Sequence, residues 1–290
     1  MTGIPVFYIN LKVSAARRMW FEEQMRTLGP ESHRVEAVDG HAISPASLGA
    51  QRTKRRYTKF PMGPAEIGCF LSHRRAWSRA LAATDEWGAP WAFIAEDDLH
   101  LSQDCKVFFE GVGWIPADAH MIKAETTFRK CHCSRWSGPA HGGRTLVRLM
   151  SLHGGSGGYF LSRQALRDAL DATENLCEPV DYILFNPELG LFPRWAVYQI
   201  TPAFALQDLF FENTAPGFEK SILQGERDEH KKNTRGPHRC LREIIRPFRQ
   251  LRDSLRQRFF ARCHNTIFRS VPYQDKVGTS PLYNKKRRFL

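Results

Sequence analysis

Three consecutive acids, Glu96, Asp97 and Asp98, close the stretch "WAFIAEDDLHLS" at residues 91–102, directly after the apolar run 91–95. A strand alternates its side chains between faces, so Glu96 and Asp98 are expected to project together while Asp97 points away. Two carboxylates one pleat apart repel unless a cation lies between them. Hard ions such as Mn²⁺ or Mg²⁺ prefer that oxygen environment and keep coordination positions open for phosphate oxygens. A run of acids also serves as a solvated turn or a helix cap, and from these three residues alone both readings stand.

Other residues could act with them. Asn10, followed by Leu11, ends the strand-like run "IPVFYINL", and Arg17 and Arg18 fall in the first turn of the helix expected after Ser14. Helix-terminal amides and guanidinium groups both favour anions, which suits a phosphate. Arg18 reads equally well as a solvated residue. Asp39, preceded by Val38 in "HRVEAVDG", sits in the turn after a second strand and could accept bonds from a ribose or a base, or simply form an Asx turn. Asp181 stands between Val180 and Tyr182 ahead of an apolar run, where burial would raise its pKa and suit a general base; it would also serve as a helix N-cap. Lys123 and the glycines from Gly154 to Gly158, Gly157 among them, are candidates for close approach to a sugar. Gln207, with Asp208, ends a late strand and could complete a metal shell.

The elements that must position these residues begin with a β-α-β unit: strand 4–11, a helix ended by Gly29-Pro30, and strand 33–40. That order favours a parallel sheet with helices on its faces. Residues 41–63 look irregular and basic. Pro64 then opens a long helix to about residue 84, on which Glu66, Cys69, Phe70, His73 and Trp77 share a face. A strand is expected over 119–125, followed by a long loop rich in Gly, Ser, His and Cys. Residues 154–170 read as a glycine turn, a strand and a helix. In open α/β sheets, ligands bind beyond the carboxyl ends of strands, where the three acids fall.

Composition narrows the class. The chain has 290 residues, 42% of them hydrophobic and 25% charged, as in an ordinary globular protein. No apolar run is long enough for a transmembrane helix, and the amino terminus lacks the basic and apolar regions of a secretory signal. With seven scattered cysteines, reduced thiols in the cytoplasm are expected. Cys131-His132-Cys133 matches no usual zinc spacing, and a loop with incidental thiols is expected there. Residues 1–218 hold 23 basic and 23 acidic residues, whereas residues 219–290 hold 19 and 7, so the net charge of +12 belongs to the tail. Leu241, Ile244, Ile245, Phe248, Leu251, Leu255 and Phe259 keep helical spacing among arginines, interrupted at Pro247. Such a segment can lie on an anionic membrane surface, pack on the body, or bind nucleic acid. The neutral body argues against nucleic acid.

The ordered series "VFYINLKVSAARR", "VEAVDG", "GPAEIGCFLSHRRAWSRAL", "PWAFIAEDDLHLS", "GGYFLSRQAL", "EPVDYILF" and "YQITPAFALQ" resembles glycosyltransferase family 25, the lipopolysaccharide-biosynthesis β-1,4-galactosyltransferase group. The resemblance spans about residues 4–208. It implies an α/β, GT-A-type (Rossmann-like) fold with a mixed, mostly parallel sheet and flanking helices, here over residues 1–217; the basic helical extension expected over 218–290 lies outside the resemblance. It implies transfer of a hexose, usually from a UDP-sugar, with inversion. The saccharide acceptor would be free or lipid-linked, on the inner face of the membrane. Glu96, Asp97 and Asp98 take the place of the D-x-D signature without matching it literally, Glu96 and Asp98 as metal ligands and Asp97 on the donor. Glu66, Ser72 and His73 match the family's helix, where they would meet the donor or position the acids. An inactive glycan-binding member is a further reading, against which the retained acids count.

Overall fold

A computed structural model describes residues 3–56, 62–138, 141–187, 190–211 and 262–282. The chain opens with strand β1 (Val6–Asn10), helix α1 (Ala15–Leu28) and strand β2 (Ser32–Glu36). Gly29 ends α1 in the left-handed region at φ 92°, a conformation that favours glycine because it carries no Cβ. Ser14 takes the N-cap position but makes no side-chain capping bond.

Helix α2 (Pro45–Thr53) lies where irregular chain was expected. Its start is an ordinary signal: Pro45 occupies the first turn and the Ser44 hydroxyl accepts from the Ser47 amide. Helix α3 (Pro64–Trp87) follows, then strands β3 (Trp91–Glu96) and β4 (Leu99–Leu101). Beyond them come β5 (Met121–Lys123), β6 (Lys130–Ser137), β7 (Thr145–Leu149) and β8 (Gly158–Ser162). Helices α4 (Arg163–Ala172) and α5 (Val180–Phe185), and strands β9 (Val197–Thr201), β10 (Ala205–Gln207) and β11 (Thr266–Ser270), complete the described elements.

Nine strands form one sheet in the order β11-β6-β7-β9-β5-β8-β3-β1-β2, and β4 pairs with β10 in a small ribbon. β1 is parallel to β2 and β3, and β5 to β9; the other pairs are antiparallel. Followed across the sheet, β8, β7 and β11 run against the remaining strands, so most strands share a direction in the α/β, GT-A-like arrangement expected. Two apolar cores lie against it. One holds Ile67, Phe70 and Trp77 of α3 with Leu166 of α4; the other holds Phe21 and Met25 of α1 with Phe93, Phe160 and Phe204.

Two expectations change. The loop expected after residue 125 is the β6–β7 pair. Alternation along β6 turns Cys131 and Cys133 inward, their sulfurs 3.7 Å apart, while His132 bonds Thr266 on the neighbouring strand. The boundary at residue 217 also shifts, because β11 pairs along the whole of its length with β6 and Val271 is buried in the core. This part of the expected extension is a strand, as the apolar Ile267 and Phe268 favour in a paired edge. The basic segment 241–259 lies outside the described residues.

Candidate active site

A cleft of about 440 Å³ opens beyond the carboxyl ends of β1, β2 and β3. The start of α1, the loop after β2, one face of α3 and all three acids line it. The loop is fixed to α3 at close quarters. The Ser72 hydroxyl accepts from the Val38 amide at 2.8 Å and donates to the Gly68 carbonyl at 2.6 Å. A Cβ on Gly68 would lie 2.7 Å from the Val38 carbonyl, and one on Gly40 only 1.8 Å from that of Pro64. Asp39, exposed at the rim, accepts from the His41 amide.

The acids depart from the expected alternation. β3 ends at Glu96, and Asp97 and Asp98 form the turn into β4, so the pleat no longer sets their directions and all three reach the cleft. Glu96 is held by donors: His73 Nε2 at 3.2 Å and Ser156 Oγ at 3.1 Å on one oxygen, Gln207 Nε2 at 3.1 Å on the other. Burial pushes its pKa up, but the His73 and Ser156 bonds and the Lys123 charge hold it below the usual carboxylate range. Asp97 accepts from Asn10 Nδ2 at 2.7 Å and faces Arg17 at 3.6 Å, though burial leaves its pKa raised. Asp98 differs: its Oδ1 is buried without a hydrogen-bond partner. Burial first, then the charges of Glu96 and Asp97, push its pKa well above the ordinary value.

A polar chain lies behind Glu96. Trp77 Nε1 donates to the Tyr159 hydroxyl at 2.8 Å, and that hydroxyl is 2.7 Å from His73 Nδ1. Indole only donates, so the Tyr159 hydroxyl accepts from Trp77 and donates a hydrogen bond to Nδ1, while Nε2–H points at Glu96.

Among the residues expected in the site, Leu11, Arg17, Val38, Asp39, Ser72, His73, Glu96, Asp97 and Asp98 all line the cleft. Others do not. Asn10 is 1% exposed and ties β1 to Ser14, Arg34 and Asp97. Arg18 is outside the lining, its Nε buried without a hydrogen bond. Glu66 accepts from the Gly63 amide at the start of α3, as a capping residue does. Lys123 is fully buried; it bonds Glu125 at 2.8 Å and the Gly155 carbonyl, and lies over the Phe185 ring. Gly157 works through its backbone, its carbonyl accepting from the Glu96 amide at 2.8 Å. Gln207 directs its amide nitrogen at Glu96, a donor's task, and Asp208 pairs with His100 at 2.8 Å. Asp181 stands in the first turn of α5 and accepts from the Gly155 amide at 3.2 Å.

Sequence reasoning passed over Glu125 and Ser156. Lys123 and Glu125 are two residues apart on an apolar strand, so they share a face, and opposite charges buried there must pair. Cβ atoms on Gly155 and Gly157 would each lie 2.4 Å from the Glu125 carboxylate. The glycines thus let the 154–158 loop wrap this ion pair and deliver Ser156 to Glu96.

The model of "Glycosyltransferase family 25 (LPS biosynthesis protein)" matches residues 3–184. The chain belongs to this family. It is a glycosyltransferase. The lacto-N-neotetraose biosynthesis glycosyltransferase LgtB of Neisseria meningitidis serogroup B is 31% identical over 216 residues, covering 67% of this chain and 74% of that protein. LgtE from the same organism, of the same pathway name, is 28% identical over 190 residues, covering 60% and 64%. A solved glycosyltransferase involved in glycosylation of the major capsid of PBCV-1 superposes with a TM-score of 0.39 at 12% identity, over 80% of this chain and 99% of that one. Among the described residues, no helix is long and apolar enough to cross a membrane.

Proposed function

We propose that this glycosyltransferase moves a hexose, galactose first among candidates, from a UDP-sugar to a saccharide acceptor of a lipopolysaccharide, lipooligosaccharide or similar glycoconjugate, with inversion. The observation that carries the reading is Asp98, whose buried, unpartnered oxygen sits among like charges at the base of the cleft. An oxygen-rich, negatively charged donor set of this kind fits Mn²⁺ or Mg²⁺. Such an ion, when bound, neutralises the leaving diphosphate. Asp98 would be its direct ligand. Glu96, already held by three donors, contributes through the shared charge or a water.

The chain's own residues do the rest. Arg17 and the first amides of α1 meet phosphate oxygens, with the helix dipole in the same sense. Leu11 and Val38 wall the nucleoside, and Asp39 accepts from its hydroxyls. The acceptor hydroxyl attacks the anomeric carbon as the bond to the diphosphate oxygen breaks. Asp181, anchored by the Gly155 amide, takes the hydroxyl proton. The likeness to LgtB and LgtE, lacto-N-neotetraose biosynthesis glycosyltransferases, supports a saccharide acceptor. A lipid-linked acceptor would place the reaction at the cytoplasmic face of a membrane.

The test is UDP release across a panel of nucleotide sugars, with and without Mn²⁺. UDP-galactose should give metal-dependent turnover that Asp98→Ala abolishes. Turnover from no UDP-sugar, or unchanged turnover in Asp98→Ala, overturns the reading. Asp181→Asn should keep UDP-sugar binding and lose transfer by about 10²-fold or more; lost binding would remove Asp181 from the role of base.

A further inference from the structure

Beside the oxygen site at Asp98 is a second donor set of different chemistry. Cys69 and His73 are one helical turn apart on α3 and face the end of β3. The Cys69 sulfur, a His73 ring nitrogen and a Glu96 oxygen all lie within 4.8 Å of one another. All three residues line the cleft. We propose that Cys69, His73 and Glu96 form a binding site for a thiophilic divalent ion of the Zn²⁺ class, with its fourth position open to the cleft.

The ligand types match that class: one thiolate, one imidazole and one carboxylate, where three protein ligands leave a position for water or another molecule. Ligand atoms around such an ion sit about 3.5 Å apart, so small side-chain rotations complete the set. His73 is prepared for it. Metal-binding histidines hold their second ring nitrogen to a fixed partner, and Nδ1 is 2.7 Å from the Tyr159 hydroxyl, itself fixed by Trp77. On binding, the imidazole proton moves from Nε2 to Nδ1, which then donates a hydrogen bond to the Tyr159 oxygen as that hydroxyl turns its own proton away. The Cys69 thiol loses its proton to solvent, and Nε2 and sulfur each form a bond to the ion.

Glu96 would ligate this ion while its charge also serves the oxygen site at Asp98, so the two kinds of ion compete for its charge and orientation. The site itself rests on geometry alone and stands or falls apart from the sugar and acceptor assigned above.

The test uses Co²⁺ as a spectroscopic probe on the metal-free full chain. One equivalent should produce a thiolate-to-cobalt charge-transfer band with release of a proton, and Zn²⁺ should then displace the band. Cys69→Ser should lose the band and weaken Zn²⁺ binding at least tenfold, with Cys69→Ala substituting if the serine variant does not fold. Cys263→Ser, which changes the one exposed free thiol among the described residues, should leave the band intact. No band in the wild type, a band that survives in folded Cys69→Ser or Cys69→Ala, or one lost in Cys263→Ser overturns the proposal.

Discussion

Asp98 is the residue at which stability and function pull apart. Its raised pKa means that the folded chain favours the protonated form more than the unfolded chain does. Its stabilising contribution is therefore complete below the ordinary carboxylate range and is lost as pH rises through the elevated value. At neutral pH without divalent ions, Asp98→Asn should raise stability by about 1 kcal/mol, within the range seen when strained active-site groups are removed. Mn²⁺ should stabilise the wild type against heat, and the same change should abolish both that stabilisation and transfer. Denaturant melts with and without the ion check both halves. The importance of the acids was legible from charge at the end of an apolar strand. Their individual roles were not, because alternation fails where a strand becomes a turn. The reading of Lys123 failed for a different reason: a lone lysine looks available until its buried partner, Glu125, is counted.

At the scale of elements, the contact between the loop after β2 and α3 shapes the donor side of the cleft. Gly40 and Gly68 allow it. Gly68→Ala would force a methyl to 2.7 Å from backbone atoms at Val38 and Gly40. We expect a loss of about 1–3 kcal/mol, together with a higher KM for the nucleotide sugar and little change in kcat, readable by steady-state kinetics beside a urea melt. The β1-α1-β2 unit, α3 and β3 were readable because apolar runs of the right period are punctuated by Gly29, Pro64 and Gly88. Helix α2 was obscured by the basic run after it, although Ser44-Pro45 carries a start signal. The β6–β7 pair was obscured because its inward residues include Cys131 and Cys133, in a stretch whose Gly, Ser and His composition reads as loop.

For the whole molecule, two expectations follow from burial. His153 is fully buried, its Nε2 without a partner, and burial, aided by the Lys123 charge, pushes its pKa down to about 3. The folded chain therefore resists a proton that the unfolded chain takes up near pH 6.5. Stability should fall as pH drops below that point, by on the order of 2 kcal/mol between pH 6.5 and 5. His153→Gln should flatten this dependence in melts across that interval. The second expectation concerns residues 262–282, which a division at residue 217 would discard. Thr126 donates to the Val271 carbonyl and Ser270 to that of Phe128, so this segment holds the loop that follows Glu125. A chain ended at residue 217 should give a broad, low-temperature transition and no transfer, which calorimetry and UDP release would show.

The pairing of β11 with β6 also sets an order of events during synthesis. β6 leaves the ribosome long before its outer neighbour exists, so its edge amides and carbonyls stay open while the intervening chain is made. Open edges recruit strands from other molecules. Nascent chains paused before residue 266 should therefore be the species that chaperones hold, until β11 covers the edge of β6.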